Sequence, residues 1–157
     1  MKPNIEISDK NLKEIAKRLN TVLADEYVLY TKTRNAHWNI QGNNFMELHK
    51  FFEGQYEALD TIVDDTAERV RALGHFSAGS LKDFLSITHL SEQKHDFGNQ
   101  KQMIQTLLDD HETIIRVLRN EITIIAEKFR DLGTSDFITG IMEQHEKMAW
   151  MLRAYIS

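Results

Sequence analysis

Apolar residues recur along this chain at the three-and-four spacing that is typical of amphipathic α-helices. Four long stretches show this spacing, and no stretch shows the strict alternation that predicts a β-strand. The single proline, at position 3, and only seven glycines leave these stretches free to be helical. The apolar positions of the four predicted helices are Leu12, Ile15, Leu19, Val22, Leu23, Tyr27 and Tyr30; Phe45, Leu48, Phe51, Phe52, Leu59, Ile62, Val63, Ala67 and Val70; Met103, Ile104, Leu107, Leu108, Ile114, Ile115, Leu118, Ile122, Ile125 and Phe129; and Phe137, Ile138, Ile141, Met142, Met148, Leu152 and Tyr155.

Capping and stop residues predict the helix boundaries. Ser and Asn are favoured N-caps, and Glu47 follows Asn44 at the three-residue spacing of a capping pair. Glycine commonly follows the last turn of a helix. The predicted boundaries are Ser8 and Asn44 at helix starts, Gly74 and Gly133 at helix ends, and Thr134 or Ser135 at the start of the last helix.

The lengths of the connections predict how the helices are arranged. Short links near 39–44 and 131–135 make the first two helices, and the last two, antiparallel neighbours. Residues 74–98 are long enough to cross the length of a bundle, and Ser80 to Leu90 carries its own helical spacing. We therefore predict one all-α domain over residues 1–157, a ferritin-like four-helix bundle with one long crossover that carries a short extra helix. Other four-helix bundles share this pattern.

Composition and charge restrict the possible functions. Hydrophobic residues make up 41% of the 157 residues and charged residues 27%, as in ordinary globular domains. The chain has no cysteine, which excludes disulfides and zinc–thiolate sites. No signal-peptide pattern is present and the longest apolar run is Met148 to Leu152, so we expect a cytoplasmic protein without a membrane span. The net charge of −5 disfavours general DNA binding.

The second predicted helix carries metal-ligand side chains along one face. His49, Glu53, Asp64 and Glu68 fall within an arc of about 100°, and imidazole with carboxylates suits iron or a similar divalent metal. His49 and Glu68 are nevertheless ~28 Å apart along the helix.

Two antiparallel copies of this helix could combine these ligands. The midpoint between residues 49 and 68 coincides with the midpoint between 53 and 64, at 58.5. A two-fold axis there would pair His49 with Glu68 of the second copy, and Glu53 with Asp64, in two identical sites. His37 could join across the short link. The alternative is a polar face that only meets solvent.

The Glu-x-x-His motif, which holds two metals inside many helix bundles, occurs once. It spans Glu92 to His95, within the predicted crossover. One copy outside the main helices cannot build such a centre, so we do not expect a metal site inside the bundle.

A dense motif over residues 34–71 resembles the ferroxidase signature of the Dps family of miniferritins. Its elements are His37-Trp38-Asn39-Ile40-Gln41-Gly42, Phe45, Leu48-His49, Phe52-Glu53, Asp64-Asp65 and Ala67-Glu68-Arg69. The resemblance implies that His37 and His49 of one subunit, with Asp64 and Glu68 of its two-fold partner, bind iron, and that Glu53 is a further ligand. It also implies a hollow dodecamer that oxidises Fe(II), preferentially with hydrogen peroxide, and stores ferric mineral. Similar tryptophans in the family suggest that Trp38 traps oxidising equivalents, although packing is an equally good role.

Several other residues lie outside this signature. We predict structural or solvated roles for the remaining histidines. We also predict a cation-attracting pore where the third and fourth predicted helices meet around a three-fold axis, with acids that are merely exposed at this junction as the alternative. The residues concerned are His75, His89, His95, His111 and His145, and, for the pore, Glu127, Asp131 and Asp136.

Two competing functions remain. Many members of the family bind DNA through a basic terminal tail, which this chain does not show, so direct DNA binding is not expected. A DNA-compacting protein with little ferroxidase activity is the first alternative, and a bundle that only mediates interactions is the second.

Overall fold

The computed structural model describes residues 3–92 and 99–157, and the described residues form helices without any strand. The helices are α1 (Asp9–Asn39), α2 (Phe45–Ala72), α3 (Leu81–Ile87), α4 (Gln100–Thr123) and α5 (Leu132–Ile156), with one π-helical turn at Ile124–Lys128. The all-α prediction is confirmed. None of these helices combines the length and the apolar character that crossing a membrane requires.

The helices pack as two hairpins. α1 packs along α2 and α4 packs along α5, while α1 also contacts α3 and α4. The predicted apolar stripes supply the core, in which Leu19, Phe52, Leu59, Leu118 and Ile138 are all fully buried. The predicted bundle with a crossover and a short extra helix is therefore the observed fold.

The crossover between α2 and α4 is fastened to α1 by buried polar contacts. Asp25, only 1% exposed, accepts hydrogen bonds from Thr88 Oγ1 at 2.7 Å and from the His89 backbone N–H at 2.6 Å. Phe84 of α3 is buried and stacks on Tyr27 with ring centroids 4.6 Å apart. Leu85, the next residue of α3, is 53% exposed in the single chain.

Most boundaries agree with the prediction. Ser8 caps α1 by accepting from the Asn11 N–H, and Gly74 follows α2 with a φ of 83°. Asn44 occupies the N-cap position of α2, but its side chain makes no capping hydrogen bond.

The start of α5 differs from the prediction. The helix begins at Leu132, with Asp131 rather than Thr134 or Ser135 as its N-cap, and therefore includes Gly133. A Cβ at Gly133 would lie 3.2 Å from Nη2 of Arg69. This glycine allows Arg69 of α2 to approach and does not end a helix.

Asp131 is also unsuited to the predicted pore. Its carboxylate is 5% exposed and accepts from the Thr134 N–H at 2.9 Å and from Arg69 at 3.5 Å. The Asp131 carboxylate is therefore buried and bound to partners within its own subunit, so the assignment of Asp131 to a pore is wrong. Glu127 and Asp136 are exposed.

We expect Asp131→Ala to lower the free energy of unfolding by about 1–2 kcal/mol, because it removes the N-cap of α5. Asp136→Ala, on the exposed face of the same helix, should change it by less than about 0.5 kcal/mol. Denaturant unfolding measured for both variants checks this difference. Equal effects of the two substitutions would contradict the capping role.

Candidate metal centre

The short link between α1 and α2 brings His37 and His49 together. His37 lies in the last turn of α1 and His49 near the start of α2. Nδ1 of His37 is 2.8 Å from the carbonyl oxygen of His49, and Nδ1 of His49 is 2.9 Å from the carbonyl oxygen of His37. The two rings stack with centroids 3.7 Å apart and planes 20° from parallel.

These reciprocal contacts determine the tautomer of both imidazoles. A carbonyl oxygen can only accept, so each Nδ1 must carry a proton and donate it. In the neutral ring the proton is then absent from Nε2, which keeps its lone pair. A histidine whose one nitrogen is fixed by a backbone carbonyl is the common arrangement of a metal ligand.

An aromatic side chain packs against each of the two histidines. Phe45 stacks on His49 and Tyr56 meets His37 edge-on, both with centroids 5.1 Å apart. The guanidinium of Arg34 lies 4.9 Å from the Tyr56 ring centre. Sequence reasoning missed Tyr56 and Arg34 as neighbours of the site. The three-residue step from Glu53 to Tyr56 on α2 is the signal that could have indicated Tyr56.

Glu53 lies one turn beyond His49 and faces the same pair. The Lys50 ammonium, 2.5 Å away, hydrogen-bonds the Glu53 carboxylate and lowers its pKa. Burial raises the pKa of Glu53, while the charges of Lys50, His37 and His49 lower it further. An ionised carboxylate therefore lies beside the two imidazoles at neutral pH.

Asp64 and Glu68 lie on α2 at a distance from this group. Both are exposed, and Glu68 is ~28 Å from His49 along the helix. Among residues 3–92 and 99–157 of one chain, no group of three or more His, Asp or Glu side chains has the geometry to hold a metal ion. A single chain thus brings His37 and His49 together, with Glu53 one turn further along α2, and leaves Asp64 and Glu68 apart.

The other histidines have varied surroundings. His89 donates from Nδ1 to Asp25 at 2.8 Å, and His75 is half-buried. His111 and His145 are fully buried, which agrees with the structural role predicted for them. His95 lies outside the described residues, and with it the predicted Glu92–His95 motif.

Trp38, next to His37, is 63% exposed in the single chain. The Arg34 guanidinium lies 5.2 Å from its ring centre, a cation–π contact. The side chain therefore does not pack into the core of its own subunit.

Comparison with known proteins identifies the class of protein to which this fold belongs. The family model described as the ferritin-like domain matches residues 16–157. A Dps protein from Vibrio cholerae, described as a member of the ferritin-like diiron-carboxylate superfamily, superposes with a TM-score of 0.92 at 30% identity, covering 99% of this chain and 97% of that one. Dps from Staphylococcus aureus gives 0.87 at 33% identity, covering 92% and 96%.

Sequence relatives narrow the class to a family. A low temperature-induced protein of Nostoc is 42% identical, over 98% of this chain and 86% of its own length. DNA protection during starvation protein 2 of Bacillus anthracis is 34% identical, over 92% and 98%. The chain belongs to the Dps family of ferritin-like proteins.

We expect the metal-free protein to hold both His37 and His49 with the proton on Nδ1, because each faces a carbonyl oxygen. ¹⁵N chemical shifts of histidine-labelled protein near pH 8, where imidazoles are neutral, report the protonated nitrogen. His37→Ala and His49→Ala identify the two signals. An Nε2-protonated form of either ring would contradict the reciprocal hydrogen bonds.

Proposed function

We propose that this protein is a ferroxidase and iron-storage protein whose metal sites are shared between two subunits. Each site takes His37, His49 and Glu53 from one chain and Asp64 and Glu68 from its two-fold partner. The observation that carries the proposal is the reciprocal histidine pair, in which both Nδ1 atoms donate to carbonyl oxygens and both Nε2 atoms are left for a metal, with the Glu53 carboxylate one turn further along α2. Membership of the ferritin-like diiron-carboxylate superfamily supports iron storage and protection as the function.

The surface of the single chain supports pairing along α2. Asp64 and Glu68 are exposed on that helix, and their spacing mirrors that of Glu53 and His49 about position 58.5. Exposed apolar side chains include Met46 of α2 at 64% and Leu81 of α3 at 65%. A second copy would cover such apolar surface, as isologous contacts do.

The donor set suits the chemistry of iron oxidation. Neutral imidazoles bind Fe(II), and carboxylates favour the higher charge of Fe(III). Two Fe(II) ions can each give one electron to hydrogen peroxide, so that two protons and one peroxide become two waters without releasing hydroxyl radical. In the proposal, peroxide is the preferred oxidant and the reaction takes place in the cytoplasm.

Storage follows from assembly. We propose a hollow homo-oligomer, a dodecamer in this family, with the paired sites supplying Fe(III) to a mineral inside. Exposed acids such as Glu127 and Asp136 remain candidates for the entry of cations.

The test is complementation between two half-site variants. His37→Ala with His49→Ala, and Asp64→Ala with Glu68→Ala, should each lose most peroxide-driven Fe(II) oxidation, since every site lacks half of its ligands. In a mixed dimer, one site takes its histidines from the acid-lacking chain and its acids from the histidine-lacking chain, so it is complete. The other site has neither the two histidines nor the two acids. Co-expressed mixtures should therefore recover activity in proportion to the fraction of mixed dimers.

The matched control is His75→Ala with Glu143→Ala, which removes a histidine and an exposed acid elsewhere in the chain. It should retain the wild-type rate of absorbance growth after anaerobic Fe(II) loading and peroxide addition. Light scattering should show a large assembly for every variant. Verified mixed dimers without any gain over the separate variants would exclude a shared site.

Compaction of DNA is the second candidate, because relatives carry the name DNA protection during starvation protein. The net charge of −5 opposes it, since phosphate contacts by basic residues supply most non-specific affinity. We expect no retardation of plasmid DNA in a gel at neutral pH and about 0.15 M salt. A stoichiometric shift at that salt concentration, together with slow iron oxidation, would favour DNA compaction instead.

A further inference from the structure

A second group of titratable side chains lies in the core of the bundle. Glu26 of α1, His111 of α4 and His145 of α5 are all 0% exposed. Glu26 is ~16 Å along α1 from His37, so the group is separate from the candidate metal centre. We call these three residues the core relay.

The core relay is a continuous line of hydrogen bonds. Nε2 of His145 lies 3.0 Å from both carboxylate oxygens of Glu26. Nδ1 of His145 lies 2.8 Å from Nδ1 of His111. The line ends at Nε2 of His111, which is buried without a hydrogen-bond partner.

The contact between the two Nδ1 atoms limits how many protons the relay can hold. Two nitrogens form a hydrogen bond only if one carries a proton and the other does not. One imidazole can be fully protonated, because the Glu26 carboxylate then balances its charge. A second proton would make both Nδ1 atoms donors, which replaces the hydrogen bond with repulsion between two cations.

The neighbouring elements provide no group to balance a second charge. Asp110, beside His111 on α4, is paired with Lys32 of α1 at 2.5 Å. The side chains that α2 buries are Leu48, Phe52, Gln55, Leu59, Ile62, Thr66 and Val70, none of which titrates. The π-helical turn buries Ile125. His145 of α5 is thus the titratable group in contact with His111, and Glu26 of α1 contacts His145 in turn.

We propose that the core relay is a single-proton site that couples the stability of the bundle to pH, and that a second protonation, at His111, opens the fold in acid. Burial lowers the pKa of His111 well below its ordinary value, and the charge on His145 lowers it further, in agreement with this geometry. The unfolded chain takes up that proton below about pH 6.5 and the folded chain does not. Stability therefore falls as the pH falls below this value.

The assembled protein and a His111→Asn variant test this proposal. Asparagine places an amide nitrogen near the position of Nδ1, so it can donate to His145 without titrating. Guanidinium unfolding is followed by circular dichroism at fixed subunit concentration, between about pH 7.5 and 4.5. Below about pH 6.5 the unfolding constant of the wild type should rise more steeply than that of the variant, by up to about tenfold per pH unit.

His75→Asn is the control, because it removes a half-buried histidine outside the core relay and should keep the wild-type slope. Parallel pH dependences of wild type and His111→Asn would overturn the proposal.

A second measurement on the wild type applies if His111→Asn does not fold. Hydrogen–deuterium exchange at the imidazole C2 position, read by mass spectrometry, reports the protonation of each histidine in the intact assembly. His111 should remain unprotonated at about pH 5 while the helices persist, below the ordinary histidine value of about 6.5. Protonation of His111 near that value with intact helices would overturn the proposal.

Discussion

The pair of hydrogen bonds between the His37 and His49 side chains and each other's backbone carbonyls is the interaction on which the candidate site depends. It joins the end of α1 to the start of α2, so it determines the geometry of the link as well as the orientation of both rings. The same bonds assign the proton to Nδ1 and leave Nε2 available. Phe45 packs against the His49 ring and Tyr56 against the His37 ring. The packing of α1 against α2 therefore also fixes the orientation of the two candidate metal ligands.

Two buried charged side chains of α1, Asp25 and Lys32, have polar partners on other elements of the bundle. Asp25 is bound by Thr88 and His89 of the crossover, and Lys32 by Asp110 of α4. A buried charge without such a partner would cost several kcal/mol or would be neutralised. Nε2 of His111 is one of several buried side-chain atoms in the described residues without a hydrogen-bond partner, and the core relay ends there.

The imidazoles of the candidate metal centre and those of the core relay differ in what their ring nitrogens contact. At the candidate metal centre, each imidazole donates from Nδ1 to a backbone carbonyl, which leaves its Nε2 without a partner in these two contacts. In the core relay, the imidazoles point at each other and at Glu26, and no exposed side chain takes part. A residue type alone therefore does not predict its chemistry, which depends on what each ring nitrogen faces.

The helices, the crossover and its short helix could be predicted from the sequence, because apolar periodicity and short-range capping act within a few residues. The metal-ligand candidates on α2 could likewise be found by their spacing on one helix face, and His37 by its position before the link. The start of α5 at Leu132 was predicted wrongly, because Arg69 from a distant helix makes Gly133 a site of close approach rather than a helix end. Glu26, His111 and His145 are far apart in sequence and follow no spacing rule. Only the packing of α1, α4 and α5 decides that they meet, because the contact depends on how the helices are rotated and aligned against one another.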